Sequence, residues 1–327
     1  MRRRLSRVGA ALVRLARDRP SGFAIALTVL LFVANTVVQP TFAAWSQIAP
    51  TLGTLAPFAI AGMASTPAFL SGGGGIDLSV APVMGFVNIL LVTKLFGTVA
   101  GGPLLAVPIL LAIGAAIGAI NGVLIARLRI PPVIATLGTF FILSGANLEL
   151  VPNPVSAASN WTNSLAGSIG PVPGAVLTIG VPLLAWFGLR RTAYVESLLA
   201  VGDHDATAFS AGMNVNSVRI SAYALGGTIA AIGGIALAGL VQSADAQVFT
   251  NYILVALAAV ALGGTNLAGG RGGLVGSLFG AASIFLLENL LTELHASAYF
   301  IQFAYGGVLF VAVLLGARIF NRAELTA

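Results

Sequence analysis

The stretch PLLAVPILLAIGAAIGAINGVLIARLR occupies residues 103–129 and carries no charged side chain before Arg127. Coiled as an α-helix, its uncharged part from Pro103 to Ala126 is a rod of about 36 Å, longer than the roughly 30 Å of hydrocarbon in a bilayer. Scanning outward at the same length gives further apolar segments near 22–39, 48–70, 77–97, 132–150, 171–189, 218–241, 250–267, 273–291 and 299–317. Together they make ten, and the expected fold class is all-α, a polytopic transmembrane helical bundle. The segments near 48–70 and 250–267 are interrupted by Pro or Gly. In lipid such breaks persist only where neighbouring protein or water satisfies the freed backbone groups.

Composition agrees with this reading. Of 327 residues, 57% are hydrophobic and 8% charged, whereas soluble domains carry about a quarter charged residues. A water-facing surface cannot be covered from so small a supply, so lipid has to cover most of the chain. The net charge of +6 does not form the basic face or stripe that nucleic-acid binding requires. Seven of the sixteen Lys and Arg fall within the first nineteen residues and the others are scattered between apolar runs. There are no cysteines and only two histidines, far apart, which excludes thiol chemistry and argues against a metal cage.

The basic residues instead read as a topology signal. With the amino terminus inside and ten crossings, Arg127, Arg129, Arg190, Arg191, Arg219, Arg271, Arg318 and Arg322 all fall on the inner side with the first seven, leaving Lys94 near the outer side. Residues 151–170 and 242–250 then lie outside, and 190–217 inside. Residues 1–20, with Leu5, Val8, Leu12 and Ala16 at helical spacing among arginines, read as an uncleaved amphipathic helix on the cytoplasmic surface. Residues 21–317 form the membrane domain and 318–327 a cytoplasmic tail.

Few residues carry chemistry. A phosphate-cradling loop needs Lys followed by Ser or Thr, yet the only lysine, Lys94, precedes Leu95. Any ATP dependence must therefore come from a partner, and no cofactor is expected in this chain. The glycine runs Gly72–Gly75 and Gly263–Gly273 suit tight turns or close helix approach, with a gate element as the sharper reading. Asp77 opens an apolar segment, where a carboxylate is costly unless it caps a helix or finds a partner. Asn88, Asn121, Asn147, Glu288, Asn289 and Gln302 lie in or near apolar runs, singly as helix-to-helix glue and as a group as a polar path. In the inner connection, Asp203 and Asp205 precede a small-residue stretch, as suits a helix start. Ala208 and Gly212, four apart, suggest a face open to another protein. His204 between two acids reads as a solvated cap.

Four ordered segments resemble the permease family of ribose- and xylose-type ABC sugar importers. Gly74-Gly75-Ile76-Asp77-Leu78-Ser79-Val80 is similar to the family's early signature. Asn121-Gly122 with Ile130-Pro131-Pro132-Val133-Ile134-Ala135-Thr136-Leu137-Gly138-Thr139 resembles the central one. Ala200-Val201-Gly202, Ala206 and Gly212-Met213-Asn214-Val215 resemble the cytoplasmic segment, and Leu262-Gly263-Gly264-Thr265 through Gly269-Gly270-Arg271-Gly272 the late one. The resemblance implies ten helices, two permease chains as a homo- or heterodimer, two ATPase subunits and an external solute-binding protein. It also implies that Gly202, Asp203, His204, Asp205, Ala206, Gly212 and Asn214 belong to an ATPase-coupling segment. Candidate pathway or gating residues are Asp77, Asn121, Thr136, Thr139, Asn147, Gly263, Gly264 and Asn289. Ala81, the absence of an acid from Asn251–Leu257 and the acidic Asp203-His204-Asp205 depart from the family pattern.

The function expected is import of a monosaccharide or similar polar solute across a bacterial plasma membrane. A nucleoside, a furanose signal molecule or a branched-chain amino acid is the alternative solute. An ion-driven secondary transporter would show ionisable residues deep in the bundle, and here Asp77 and Glu288 both lie near segment ends. An intramembrane enzyme would need a nucleophile with a base or a pair of acids, and no such set is present in the sequence.

Overall fold

A computed structural model describes residues 21–310 except 159, 298, 305, 308 and 309. The expected amphipathic helix 1–20, the tail 318–327 and the end of the apolar segment 299–317 lie outside the described residues. Within them the chain is an all-α bundle. In order, its helices are α1 (Gly22–Val38), α2 (Trp45–Leu70), α3 (Val80–Leu90), α4 (Pro103–Ala126), α5 (Pro132–Leu150), the short α6 (Asn163–Ala166), α7 (Ala175–Leu189), α8 (Ala193–Asp203), α9 (Asp205–Ser210), α10 (Val215–Val241), α11 (Thr250–Leu262) and α12 (Leu274–Glu293). Strands are confined to two two-residue pairs, β1 (Val155–Ser156) with β4 (Ser243–Ala244) and β2 (Ser168–Ile169) with β3 (Val172–Pro173), both antiparallel.

Five helices, α2, α4, α5, α10 and α12, are long and apolar enough to cross a membrane. Four more, α1, α3 with its following π-turn, α7 and α11, are apolar but shorter. The expected boundaries hold to the residue for α4 and α5. Two other expectations change. The segment near 48–70 is not interrupted, because α2 runs continuously through Pro50, Pro57 and Pro67. Tight surroundings permit this, since α2 is buried along nearly its whole second half. The segment near 250–267 does break, at Leu262, where Gly264 turns the chain with φ +75°.

Helix α10 is the central post. Glycine lets its neighbours reach it: Gly114, Gly118 and Gly122 of α4, spaced by four, abut Gly227, Tyr223 and Ile220 of α10 so closely that a Cβ on any of the three would overlap backbone. This is the small-residue packing by which helices associate where lipid removes the hydrophobic drive. On other faces α10 meets Ala64 of α2 through Gly226, and Met84 and Val87 of α3 through Gly233 and Gly234. The peripheral helices α1, α4, α5 and α7 expose large apolar side chains, among them Val37, Leu104, Ile142 and Leu184. Only a lipid or protein surround makes such exposure favourable.

The connections gather into two sets, separated by the length of α10, 27 residues or about 40 Å. At one end the 71–79 turn, α8, α9 and the 263–273 loop meet, with Gly270 N–H donating to Leu70 O at 3.2 Å. At the other end Ala157 N–H donates to Gln242 O at 2.9 Å and Trp161 Nε1 to Gly101 O at 2.8 Å.

Candidate coupling and pathway site

The first end is built around three glycine motifs. Gly72, Gly73 and Gly74 have φ of +71°, +64° and +72°, three consecutive left-handed residues that side chains would resist. They reverse the chain after α2 and leave Gly72 against Gly202, where an added Cβ would lie 2.6 Å from Gly202 O. Gly269 closes the junction from the third side, its position 2.5 Å from both Gly202 O and Gly72 Cα by the same measure. The motifs around Gly72, Gly202 and Gly269, distant in sequence, thus interlock at backbone distance. Gly263 follows the same logic at a crossing with Gly276 of α12.

From this junction the chain enters a buried polar ladder. Asp77 Oδ1 accepts from Ser79 N–H at 2.9 Å and from Ser79 Oγ at 2.6 Å, a side-chain turn that launches α3. Asp77 therefore stabilises the start of the segment without itself being the cap residue. Asn121 Nδ2 donates to Ser79 Oγ at 2.9 Å, and Thr139 Oγ1 donates to Asn121 Oδ1. Thr136 Oγ1 donates to Pro132 O at 2.8 Å and to Ile76 O at 3.3 Å. Asp77, Ser79, Asn121 and Thr136 are all buried, and the ladder ties α3, α4 and α5 together. A buried carboxylate at the end of a chain of donors satisfies each hydroxyl and amide in turn.

The inner connection folds as two short helices. Thr192 accepts from Tyr194 N–H at the start of α8, and burial raises the Tyr194 hydroxyl pKa while a hydrogen bond from Ser221 opposes that rise. His204 Nδ1 accepts from Thr207 N–H at 3.3 Å, so His204 is the cap of α9, with Asp205 in its first turn. Asn214 Oδ1 accepts from Ser217 N–H at 3.0 Å and caps α10. Asp203, Asp205, Ala206 and Phe209 are exposed, Phe209 at 72%. One expectation is corrected here. Ala208 and Gly212 do not share an open face, because Ala208 is buried while Gly212 lies past the helix end, exposed, with φ +84°. Gly212 is there for its left-handed backbone, not for close approach.

The structure joins Gly202, Asp205, Asp77, Asn121, Thr136 and Thr139 into one region and leaves two candidates elsewhere. Asn289 Nδ2 donates to Asn35 Oδ1 at 2.8 Å, and Asn35 Nδ2 donates to Leu286 O at 2.9 Å, so Asn289 fastens α12 to α1. Asn147 lies in the other half of α5. Two participants escaped the sequence reading. Ser79 could have been found from the Asp-x-Ser spacing ahead of a helix, whereas Arg219, read only as a topology marker, is placed by the fold between Asp205 and Ser71.

Sequence comparison finds relatives among known permeases. The chain is 34% identical over 298 residues to the ribose import permease protein RbsC of Escherichia coli, covering 89% of this chain and 91% of that one. It is 32% identical over 304 residues to the fructose import permease protein FrcC of Rhizobium meliloti, with 89% and 83% covered. It is 35% identical over 214 residues to the autoinducer 2 import system permease protein LsrC of an Enterobacter species, with 64% and 62% covered. No solved structure matches. The match to the family described as branched-chain amino acid transport system permease component spans residues 47–317, and the chain belongs to that family of multi-pass membrane permeases.

Proposed function

We propose that this chain is the membrane-spanning subunit of an ATP-binding-cassette importer for a monosaccharide or similar small polar solute. It crosses a bacterial plasma (inner) membrane ten times with both termini cytoplasmic, pairs with a second permease chain, and receives solute from an extracytoplasmic binding protein. ATP and magnesium are held by separate ATPase subunits that dock on α9. The observation that carries this reading is mechanical. The exposed α9, at the end of the bundle where the basic connections fall, is linked through Asp205 and Arg219 to the Ser71 carbonyl. Ser71 begins the glycine turn leading to the Asp77–Asn121 ladder, so a push on α9 has a continuous route to three helices.

Sugar is favoured as solute by the ribose- and fructose-importing relatives. The family description and the autoinducer 2 relative favour a second reading, a branched-chain amino acid or a furanose signal molecule. Vesicles carrying the assembled complex take up solute only with both ATP and loaded binding protein on this account. Uptake by the chain alone under an ion gradient would overturn it, and a thermal-shift screen of the binding protein distinguishes the solutes.

A further inference from the structure

Towards the end of the bundle opposite α9, two asparagines are buried without adequate partners. Asn88 of α3 and Asn147 of α5 are fully buried. Both amide atoms of Asn147 and Oδ1 of Asn88 have no hydrogen-bond partner among the described residues, while Asn88 Nδ2 donates to Ser243 O at 3.2 Å. The neighbouring buried amides differ: Asn121 and Asn35 use both ends of their side chains. An unpaired amide in a packed interior is costly, and an apolar residue of the same size would avoid that cost.

The surroundings suit one kind of occupant. Gly85 of α3 lets both side chains sit against its backbone, since an added Cβ would lie 3.2 Å from Asn147 Nδ2 and 2.7 Å from the Phe249 ring. Asn88 is one turn further along the same face of α3. Phe249 stands edge-on to Phe140 with ring centres 6.1 Å apart. The β1–β4 pair, Val155 opposite Ala244 and Ser156 opposite Ser243, joins the connections that follow α5 and α10, and Ser243 O is the acceptor for Asn88. Paired amide donors and acceptors beside an aromatic ring match adjacent hydroxyls and the apolar face of a polyhydroxylated ring.

We propose that Asn88, Asn147 and Phe249 form a transient station for a polyhydroxylated solute, whose hydroxyls pair with these amides when the β1–β4 strands part. The inference rests on the importer reading and adds to it the residues that touch the solute. In the closed state the amides wait unpaired, and passage of the solute satisfies them. Their cost in the closed state favours reopening once solute has left.

The test compares Asn147→Thr with Asn147→Val in the assembled complex, since these side chains differ in a hydroxyl and hardly in shape. Uptake by the Val variant is expected to fall about ten-fold below that of the Thr variant, the loss of one ordinary hydrogen bond to the passing solute. Solute-free complexes of the two are expected to melt alike, or the Val form higher. Equal uptake by the two variants overturns the station. A lower melting temperature for the Val form also overturns it, because the polar atom then serves the resting structure, for instance by holding a buried water. Failure of the unaltered complex to import with ATP and binding protein would instead sink the importer reading, and this inference with it.

Discussion

Arg219 Nη2 lies 2.9 Å from each carboxylate oxygen of Asp205 and 3.3 Å from the carbonyl oxygen of Ser71. One guanidinium thus bridges α9 to the turn that follows α2. The carboxylate is about half exposed, at 49%, while the Arg219 side chain is 12% exposed, so the pair contributes less than about 1 kcal/mol to stability. Its value is positional, since it fixes which part of the bundle moves with α9.

Replacing Asp205 by Asn keeps the shape of α9 and removes the ion pair. The complex should melt within a degree or two of the unaltered protein, and its basal ATPase rate should be unchanged. Uptake per ATP hydrolysed should fall by up to about fivefold, the factor that an interaction of about 1 kcal/mol allows. Parallel assays of solute entry and phosphate release in the same vesicles measure this ratio, and an unchanged ratio contradicts the bridge.

Gly202→Ala places a methyl group onto the Leu70 carbonyl, with Gly270 N 2.5 Å away. Backbone on both sides cannot yield cheaply, and a loss of about 1–3 kcal/mol is expected. Gly138 of α5 has no atom within 4 Å of an added Cβ, so Gly138→Ala should be neutral or stabilising by up to about 1 kcal/mol. Thermal melts of the two variants in one detergent compare them directly.

Asn121→Leu and Asn289→Leu separate the two polar systems. The first takes a donor from Ser79 and an acceptor from Thr139 and should reduce uptake. The second removes a hydrogen bond between α1 and α12, a loss of about 0.6–1.7 kcal/mol, and should lower the melting temperature slightly while leaving uptake per assembled complex unchanged. Loss of transport from Asn289→Leu in a normally assembled complex would move that residue into the pathway.

The chain contains no cysteine, so single introduced cysteines report sidedness without background. Ala206→Cys and Asn153→Cys both fall at exposed positions at opposite ends of the bundle. In intact cells an impermeant thiol reagent should label Asn153→Cys, and Ala206→Cys only after the membrane is opened. The reverse pattern would invert the topology proposed here.

Much of this was legible before folding. The apolar lengths and the absence of charge give helices in lipid because each backbone polar group must be satisfied within its own segment. The boundaries of α4 and α5 follow from Pro103 and Pro132, which suit a first turn whose N–H groups have no partner. Asp77 and Asn121 could be singled out because a polar side chain among apolar ones demands a partner, and Thr136 and Thr139 because they fall in the central motif. Their common ladder could not, since helical periodicity places a residue on a face but does not say which face of which other helix it meets.

Sequence alone therefore determined the helical membrane class and the basic bias of one set of connections, both of which depend on local composition. The tertiary structure alone decided that the three glycine motifs interlock, that α2 stays helical through three prolines, that Asn289 fastens α12 to α1 and that Asn88 and Asn147 lie buried and underpaired. Those facts depend on distances between residues far apart in the chain. Close packing in lipid, where backbones meet at glycine and each polar atom must find its partner across helices, is what turns a list of apolar segments such as 103–126 into a machine with two ends.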